Sequence, residues 1–201
     1  MNAGRLIAFE GLDGSGKSTQ VELLAEALRR AGRSVLVTRE PSEGPAGRRI
    51  RELARSNAPV AADEELRGFV EDRRDHVARV ITPGLREGQV VVTDRYTLSS
   101  VAYQGARGLD PAAILAESEA EFPVPDLVLL LEIEPGPALE RVRSRAEAVE
   151  ALFERRDFLE RVAEILASLD LPYLERIDAR STAEEVHRAV LERVRSRLGL
   201  P

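Results

Sequence analysis

Short, almost wholly apolar runs recur along the chain, and longer stretches with helical periodicity separate them. The short runs are RLIAFEG (5–11), SVLVTRE (34–40), QVVVTDR (89–95), DLVLLLEI (126–133) and, less strongly, YLERIDA (173–179). Runs of this length that are apolar nearly throughout are typical of strands buried on both faces, as in a parallel sheet. The pattern therefore predicts five buried strands.

The longer stretches have the periodicity and the end signals of helices. They cover residues 17–31, about 45–56, 62–81, 111–121, 136–147, 154–169 and 182–198. Gly32 ends the first of them, and Thr182 with Glu185 forms a capping box for the last. Pro83 and Gly84 are expected to bend or end the helix that precedes them.

Alternation of strands and helices predicts right-handed crossovers and a three-layer α/β fold. At 201 residues, 43% hydrophobic and 32% charged, the chain is expected to form one globular domain over 1–201. No run approaches the ~18 apolar residues of a membrane span, and the first residues lack a secretory signal pattern. We therefore expect a cytoplasmic protein without a membrane partner.

Composition narrows the chemistry further. The chain has no cysteine, which excludes disulfides and thiolate metal sites. Its two histidines are far apart in sequence, which argues against a histidine-based metal site. The net charge of −6 argues against general nucleic-acid binding. An anionic ligand would therefore be held by local clusters of basic residues.

Residues 9–20, FEGLDGSGKSTQ, contain the only lysine among the 29 lysines and arginines. This segment matches G-x-x-x-x-G-K-[ST] between a predicted strand and a predicted helix. Its glycines let backbone N–H groups face a polyphosphate, and the helix N-terminus adds its dipole. A compact ammonium fits this cradle better than a guanidinium does, which explains the solitary lysine. The predicted ATP-binding residues are Gly11, Leu12, Asp13, Gly14, Ser15, Gly16, Lys17, Ser18 and Thr19.

A phosphate-binding loop leaves open what happens to the nucleotide. The chain could be a phosphotransferase or a nucleotide-driven switch. Switch GTPases read guanine with an N-K-x-D motif, and some partitioning ATPases need a second lysine in the loop. Because Lys17 is the only lysine, both classes are excluded. The many arginines elsewhere favour a second anionic substrate.

At TDRYTLSSVAYQG (93–105) the chain resembles bacterial thymidylate kinases, and the resemblance extends nearly end to end. It is carried by FEGLDGSGKST (9–19), TREP (38–41), RRIRELA (48–54), FVEDRRDHV (69–77), DRYTLSSVAYQG (94–105), PDLVLLLEI (125–133) and FERRDFLERV (153–162). The resemblance implies a P-loop kinase fold with a five-stranded parallel sheet and a short helical lid, usually a homodimer. It also implies transfer of the γ-phosphoryl group of ATP to dTMP with Mg²⁺. Another pyrimidine nucleoside monophosphate kinase is the alternative.

The residues present suit this reaction independently of the resemblance. The phosphate of a nucleoside monophosphate has a second pKa of about 6, so it is largely dianionic and is its own nucleophile. The reaction needs positioning and charge stabilisation rather than a strong general base. The sequence accordingly offers arginines rather than a Ser/His/Asp set.

Asp94 and Arg95 end the third predicted strand, at the edge where open α/β sheets bind ligands. Asp94 is similar to a Walker-B acid and could hold Mg²⁺ through water, together with the hydroxyl of Ser18. Arg95 would clamp the phosphates of donor and acceptor. A structural Asp–Arg pair at a strand end is the alternative interpretation.

By resemblance, Glu40 lies near the reacting phosphates, Arg51 binds the dTMP phosphate and Asp13 lies near the sugar and the metal. A solvated helix face competes for Arg51, and an exposed turn competes for Asp13. Phe69 and Arg73, four residues apart on one helix face, match the family residues that stack on thymine and hydrogen-bond it. Core packing is the alternative for Phe69. Tyr103 and Gln104 match the residues that line sugar and base. Ser99 and Ser100 match the family's serine pair, and a serine-rich helix turn without a ligand is the alternative for them. His76 is interpreted as structural.

Residues 141–156 occupy the lid position. Family members with glycine at the position of Gly14 carry the catalytic arginine in the lid. The candidates are Arg141, Arg143, Arg145, Arg155 and Arg156. The insert AEAVEAL departs from related lids and leaves the choice open, and a solvated helix face is the alternative for each. Our interpretation assigns Arg145 to catalysis beside Lys17, Asp94 and Arg95.

Overall fold

The computed structural model describes residues 4–56, 59–144 and 156–200. The strands are β1 (Arg5–Gly11), β2 (Val35–Arg39), β3 (Val90–Asp94), β4 (Leu127–Glu132) and β5 (Leu174–Asp178). The helices are α1 (Lys17–Arg30), α2 (Pro45–Ser56), α3 (Ala62–His76), α4 (Thr82–Arg86), α5 (Thr97–Ala106), α6 (Pro111–Glu121), α7 (Pro135–Ser144), α8 (Arg156–Ser168) and α9 (Ala183–Leu198). Within these ranges, no helix has the length and apolarity needed to cross a membrane.

All five strands lie in one parallel sheet in the order β2-β3-β1-β4-β5. The three central strands are almost wholly buried, which explains their continuous apolar sequences. β1 lies between β3 and β4, with Phe9 opposite Asp94. This register brings the glycine-rich loop after β1 beside the carboxyl end of β3.

The predicted parallel α/β fold and its five strands are confirmed, and each strand end lies within one residue of its predicted position. The predicted capping box is present, because Thr182 Oγ1 accepts from Glu185 N and the Glu185 carboxylate accepts from Thr182 N. Gly32 follows α1 with φ of 78°, as expected, and its N–H donates to the carbonyl oxygen of Arg29, while Arg33 N donates to Leu28 O.

The helix predicted over 62–81 differs in its second half. α3 ends at His76, a π-helical turn covers Val77–Ile81, and α4 continues to Arg86. Pro83 has no N–H to donate, and its ring would clash with the carbonyl four residues before it in a regular helix. The wider π-helical turn, in which Thr82 N donates to Val77 O, precedes the proline and lets the chain stay helical.

The sequence analysis did not identify α5 as a helix. Its sequence TLSSVAYQGA is rich in serine, threonine and other residues of modest helix propensity. The first turn is instead satisfied from β1, because Glu10 Oε1 accepts from Tyr96 N at 2.9 Å and from Ser99 N at 3.0 Å. A tertiary contact thus supplies what a local cap usually supplies.

The helices on either side of the lid agree with the prediction where they are described. α7 and α8 correspond to the predicted helices 136–147 and 154–169. The lid candidates Arg145 and Arg155 lie outside the described residues, and so does the side chain of Arg143.

Candidate active site

The loop between β1 and α1 has the backbone shape that its glycines allow. Gly11, Gly14 and Gly16 have φ of 136°, 85° and 96°, values that other residues rarely adopt. A side chain at Gly11 would also lie 2.5 Å from the carbonyl oxygen of Leu131. The loop is therefore free to curl at the N-terminus of α1, where its N–H groups can face an anion.

Lys17 is buried inside this loop, with 5% of its surface exposed. Its Nζ donates to the carbonyl oxygens of Gly11, at 3.0 Å, and Leu12, at 2.8 Å. Burial, followed by the nearby charge of Arg95, lowers the pKa of Lys17 to about 8. The ammonium is thus held inside the loop, where the negative charge of a polyphosphate would favour its protonated form.

Ser18 and Asp94, the two predicted metal ligands, are brought together by the register of β1 and β3. Ser18 Oγ donates to Asp94 Oδ2 at 2.5 Å. The other carboxylate oxygen, Asp94 Oδ1, is buried and has no hydrogen-bond partner among the described residues. No cluster of three or more His, Asp or Glu side chains that could hold a metal occurs in the described ranges. The pair suits Mg²⁺, which needs few protein ligands when phosphates and water complete its shell.

Arg95 lies directly after β3, between the phosphate loop and the cavity described below. Its φ of 70° lies in the left-handed region, which residues other than glycine seldom occupy. Its guanidinium donates to Asp13 Oδ1 at 2.6 Å, to Ser99 Oγ at 2.9 Å and to Tyr103 Oη at 3.1 Å. In return, the Arg95 guanidinium holds the pKa of the Asp13 carboxyl well below its usual range.

Glu10 is linked to Arg95 through Ser99, whose hydroxyl accepts from Arg95 and donates to Glu10. Glu10 was not among the predicted site residues. The carboxylate is buried, and besides the two backbone N–H groups at the start of α5 it accepts from Ser99 Oγ at 2.5 Å. Burial raises the pKa of the Glu10 carboxyl, against the opposing effect of the Ser99 hydrogen bond. An acidic residue within an otherwise apolar strand was the available signal, since such a group needs a specific set of partners.

A cavity of about 230 Å³ opens beside Arg95. It is lined by Asp13, Glu40, Pro41, Glu65, Phe69, Arg73, Arg95, Tyr96, Ser99, Ser100, Tyr103 and Gln104. Every residue predicted to bind dTMP lines this cavity except Arg51. Pro41, Glu65 and Tyr96 are lining residues that the sequence analysis did not assign to the site.

Arg73 is almost fully buried at 1% exposure, and its partners fix its orientation. Its Nε donates to Glu40 Oε2 at 2.8 Å, and Nη2 donates to Tyr96 O and Ser100 Oγ, both at 3.0 Å. The remaining nitrogen, Nη1, is buried without a partner among the described residues. A buried donor left over in this way, on a residue that lines a cavity, is suited to a ligand acceptor.

Glu40 connects Arg73 to the core. Glu40 Oε1 lies 3.1 Å from His76 Nδ1, and His76 Nε2 lies 2.6 Å from Thr38 Oγ1. The three buried side chains of Glu40, Arg73 and His76 therefore join the end of β2 to α3. This agrees with the interpretation of His76 as structural and places Glu40 at the wall of the cavity.

Arg51 lies on α2 and contacts the loop that follows β2. Its Nη1 donates to the carbonyl oxygens of Pro41, at 2.8 Å, and Ser42, at 2.7 Å, and its Nη2 lies 3.0 Å from Glu43 Oε2. Asp72 holds the same loop from α3 through the N–H and hydroxyl of Ser42. Here Arg51 orders the loop at the edge of the cavity.

Two lid candidates can be placed. Arg141 donates to the carbonyl oxygens of Ala179, at 3.0 Å, and Arg180, at 3.4 Å. Arg156 is exposed and pairs with Glu160 one turn further along α8. Arg141 thus contacts the chain after β5, and Arg156 contacts an exposed side chain of its own helix.

The amino-acid sequence is similar to those of known proteins over nearly its whole length. A family model described as Thymidylate kinase matches residues 9–190. The thymidylate kinase of Desulfotalea psychrophila is 42% identical over 197 residues, which cover 98% of this chain and 97% of the relative. The thymidylate kinases of Xanthomonas campestris pv. campestris and Xanthomonas euvesicatoria pv. vesicatoria are each 44% identical over 185 residues, covering 92% of this chain and 80% of the relative.

Proposed function

Because the chain belongs to the thymidylate kinase family, we infer that it transfers the γ-phosphoryl group of ATP to dTMP. The products are dTDP and ADP, and the reaction serves dTTP biosynthesis. The observation that carries this conclusion is the position of Arg95, which is bonded to Asp13 of the phosphate loop and also lines the cavity. One guanidinium can therefore contact the phosphates of both substrates.

The chemistry requires no general base. The dTMP phosphate is the nucleophile, and the site needs to hold it in line with the γ-phosphorus and stabilise the charge that spreads over the transferred group. Lys17 supplies charge from the donor side and Arg95 from between the two substrates. Glu40 and Arg51 contribute to the wall and to the loop that would border the acceptor phosphate.

Ser18 and Asp94 would hold Mg²⁺. The buried and unpartnered Asp94 Oδ1 supports this assignment, because its desolvation is otherwise uncompensated among the described residues. When bound, the cation neutralises charge on the phosphates. The hydroxyl of Ser18 and the carboxylate of Asp94 are already within hydrogen-bond distance, so little rearrangement of the protein is required.

Arg73, Gln104 and Phe69 are the proposed readers of thymine. Arg73 can only donate hydrogen bonds, and its unpartnered Nη1 suits the O4 acceptor of thymine. Phe69 lines the same cavity from α3, one helical turn before Arg73, where its ring can stack on the base. Ser100 and Tyr103 complete the wall from α5.

The proposed setting of the enzyme is the cytoplasm, as a homodimer, without nucleic-acid or membrane partners. The family resemblance motivates the dimer. The resemblance also assigns residues 141–156 to a lid over the nucleotide, with Arg145 as the catalytic arginine.

A coupled ADP-release assay tests the function with dTMP, dUMP, UMP, dCMP, CMP and AMP as acceptors. We expect dTMP to be preferred over dCMP by several orders of magnitude, because cytosine presents a donor where thymine presents O4. Discrimination against dUMP, which lacks one methyl group, should be roughly 10–200-fold. Preference for UMP or CMP would identify a different pyrimidine kinase, and ATP hydrolysis that ignores dTMP would identify a nucleotide-driven switch.

A further inference from the structure

Glu65 lines the cavity and has no part in the mechanism described so far. It belongs to the first turn of α3, and 15% of its side chain is exposed. Two donors converge on Glu65 Oε2: Gln104 Nε2 at 2.9 Å and Arg107 Nη1 at 2.5 Å. Arg107 also donates to the carbonyl oxygen of Val60, which anchors it to the chain just before α3. The carboxylate is thus held in one place between α3 and α5.

This contact fixes the orientation of the Gln104 amide. A glutamine amide has a donor end and an acceptor end of nearly the same shape, so packing alone would not choose between its two orientations. A carboxylate accepts only, so the NH₂ group must face Glu65 and the oxygen must face away from it. Gln104 is 2% exposed, and none of the described side chains donates to its Oε1. The acceptor end of the amide is therefore left for a ligand in the cavity.

The cavity consequently offers one fixed donor, Arg73 Nη1, and one fixed acceptor, Gln104 Oε1. Thymine and uracil present the complementary pair, with an acceptor at O4 and a donor at the neighbouring N3–H. Cytosine presents the reverse at both atoms, with an amino donor at position 4 and an acceptor at N3. If the Gln104 amide rotated by half a turn, its NH₂ would suit N3 of cytosine and would repel N3–H of thymine.

We propose that Glu65, pinned by Arg107, is a positioning residue that sets pyrimidine specificity by holding the Gln104 amide in its acceptor orientation. The proposal rests on the proposed function, since it concerns the base of the dTMP acceptor. It assigns to Glu65 a part of the selection against cytosine nucleotides, although Glu65 itself need not contact the base.

The test replaces Glu65 by a residue of the same shape that no longer imposes one orientation. Glu65→Gln can donate to or accept from Gln104, so both amide orientations become possible. We expect the ratio of kcat/KM for dTMP to that for dCMP to fall by at least about tenfold. The loss for dTMP should lie mainly in KM, because the phosphates and Arg95 are untouched. Calorimetry without ATP should show that the ratio of the affinities for dTMP and dCMP falls in the same way.

Two further variants separate positioning from a structural role. Glu64→Gln, on the exposed side of the same turn, is the matched control and should leave the ratio unchanged. In a Gln104→Leu background there is no amide to orient, so Glu65→Gln should have no further effect on the ratio. Glu65→Asp keeps the charge but withdraws it by one methylene, and it should narrow the ratio in the same direction as Glu65→Gln.

The possible failures are distinguishable. A wild-type protein that does not phosphorylate dTMP would overturn the proposed function, and this proposal with it. A wild type that selects dTMP, together with Glu65→Gln and Glu65→Asp variants of unchanged ratio, would overturn only the role of Glu65. The role of Glu65 would also be overturned if Glu65→Gln changed the ratio as much in the Gln104→Leu background as it does in the wild type.

Discussion

Lys17 keeps a positive charge in a place where burial opposes it. The ammonium lies within the loop on two carbonyl oxygens, and its lowered pKa of about 8 shows the cost of removing it from water. Every other basic side chain of the protein, apart from its histidines, is a guanidinium. The retained lysine therefore reflects the size of the cradle rather than a requirement for charge alone.

We predict that Lys17→Arg lowers kcat by on the order of 10²-fold or more, although the charge is kept, because the wider head cannot take the position of Nζ. Steady-state ADP release measures the loss. Arg30→Lys, which exchanges the same two residue types in an exposed pair with Glu26, is the control and should be neutral. Turnover of Lys17→Arg within about threefold of wild type would contradict the geometric argument.

The buried carboxyl group of Glu10 should make the stability of the protein depend on pH. Its pKa is raised in the folded protein, so above its ordinary value of 4.5 the folded state keeps a proton that the unfolded state has released. The contribution of Glu10 to the free energy of unfolding therefore falls as the pH rises from 4.5 towards the folded-state pKa.

Glu10→Gln removes this titration and keeps an acceptor for Tyr96 N and Ser99 N. The stability of Glu10→Gln relative to wild type should therefore rise between pH 4.5 and neutral pH. Urea unfolding of both proteins across this range measures the difference. A difference that is flat or falls with pH would show that burial does not dominate at Glu10.

Among the helices and strands, the sequence predicted those whose formation depends on a local pattern of residues. A strand of a parallel sheet is buried on both faces, so its apolar run can be identified without knowledge of its neighbours. α5 could not be identified in this way, because its first turn is satisfied by Glu10, 89 residues away from Ser99. The π-helical turn before Pro83 likewise depends on how the chain accommodates a proline.

The residues of the candidate site also differ in whether a local pattern or tertiary packing determines them. The loop glycines and Lys17 follow from a motif whose spacing has a physical reason, and Asp94 follows from its place at the end of the third predicted strand. The contacts of Gln104 with Glu65, 39 residues apart, and of Arg73 with Glu40, 33 apart, depend on tertiary packing and leave no local pattern. Sequence reasoning therefore found most of the residues that line the cavity but not the contacts that orient them.

The elements that carry the arginines lead to a further prediction. Arg95 follows a central strand and is held by three hydrogen bonds, whereas Arg141 is bonded to backbone carbonyls after β5 and Arg156 pairs with a helix neighbour. Arg95→Ala should therefore lose more kcat/KM than any single alanine substitution in the lid. The set to measure is Arg141→Ala, Arg143→Ala, Arg145→Ala, Arg155→Ala and Arg156→Ala. A lid variant that loses more kcat/KM than Arg95→Ala would contradict this ranking and identify that residue as the catalytic arginine.

For the whole molecule, the parallel sheet determines which residues can meet. All strands of such a sheet point the same way, so the segments that follow β1, β2 and β3 emerge at one edge. The order β2-β3-β1 places the chain after Arg39 and the chain after Gly11 on either side of the end of β3. Arg95 is therefore between the triphosphate loop and the acceptor cavity because of the strand order itself.

Lys17 also makes this protein a simple subject for chemical labelling. It carries the only side-chain primary amine of the chain, and its pKa of about 8 leaves more free amine at neutral pH than an ordinary lysine has. A small acylating reagent should add one group beyond any at the terminal amine, and saturating ATP should prevent that addition by covering the amine and favouring its protonated form. Lys17→Arg should take no side-chain label with or without ATP. The mass of the intact protein would then measure directly the fraction of phosphate loops that are occupied.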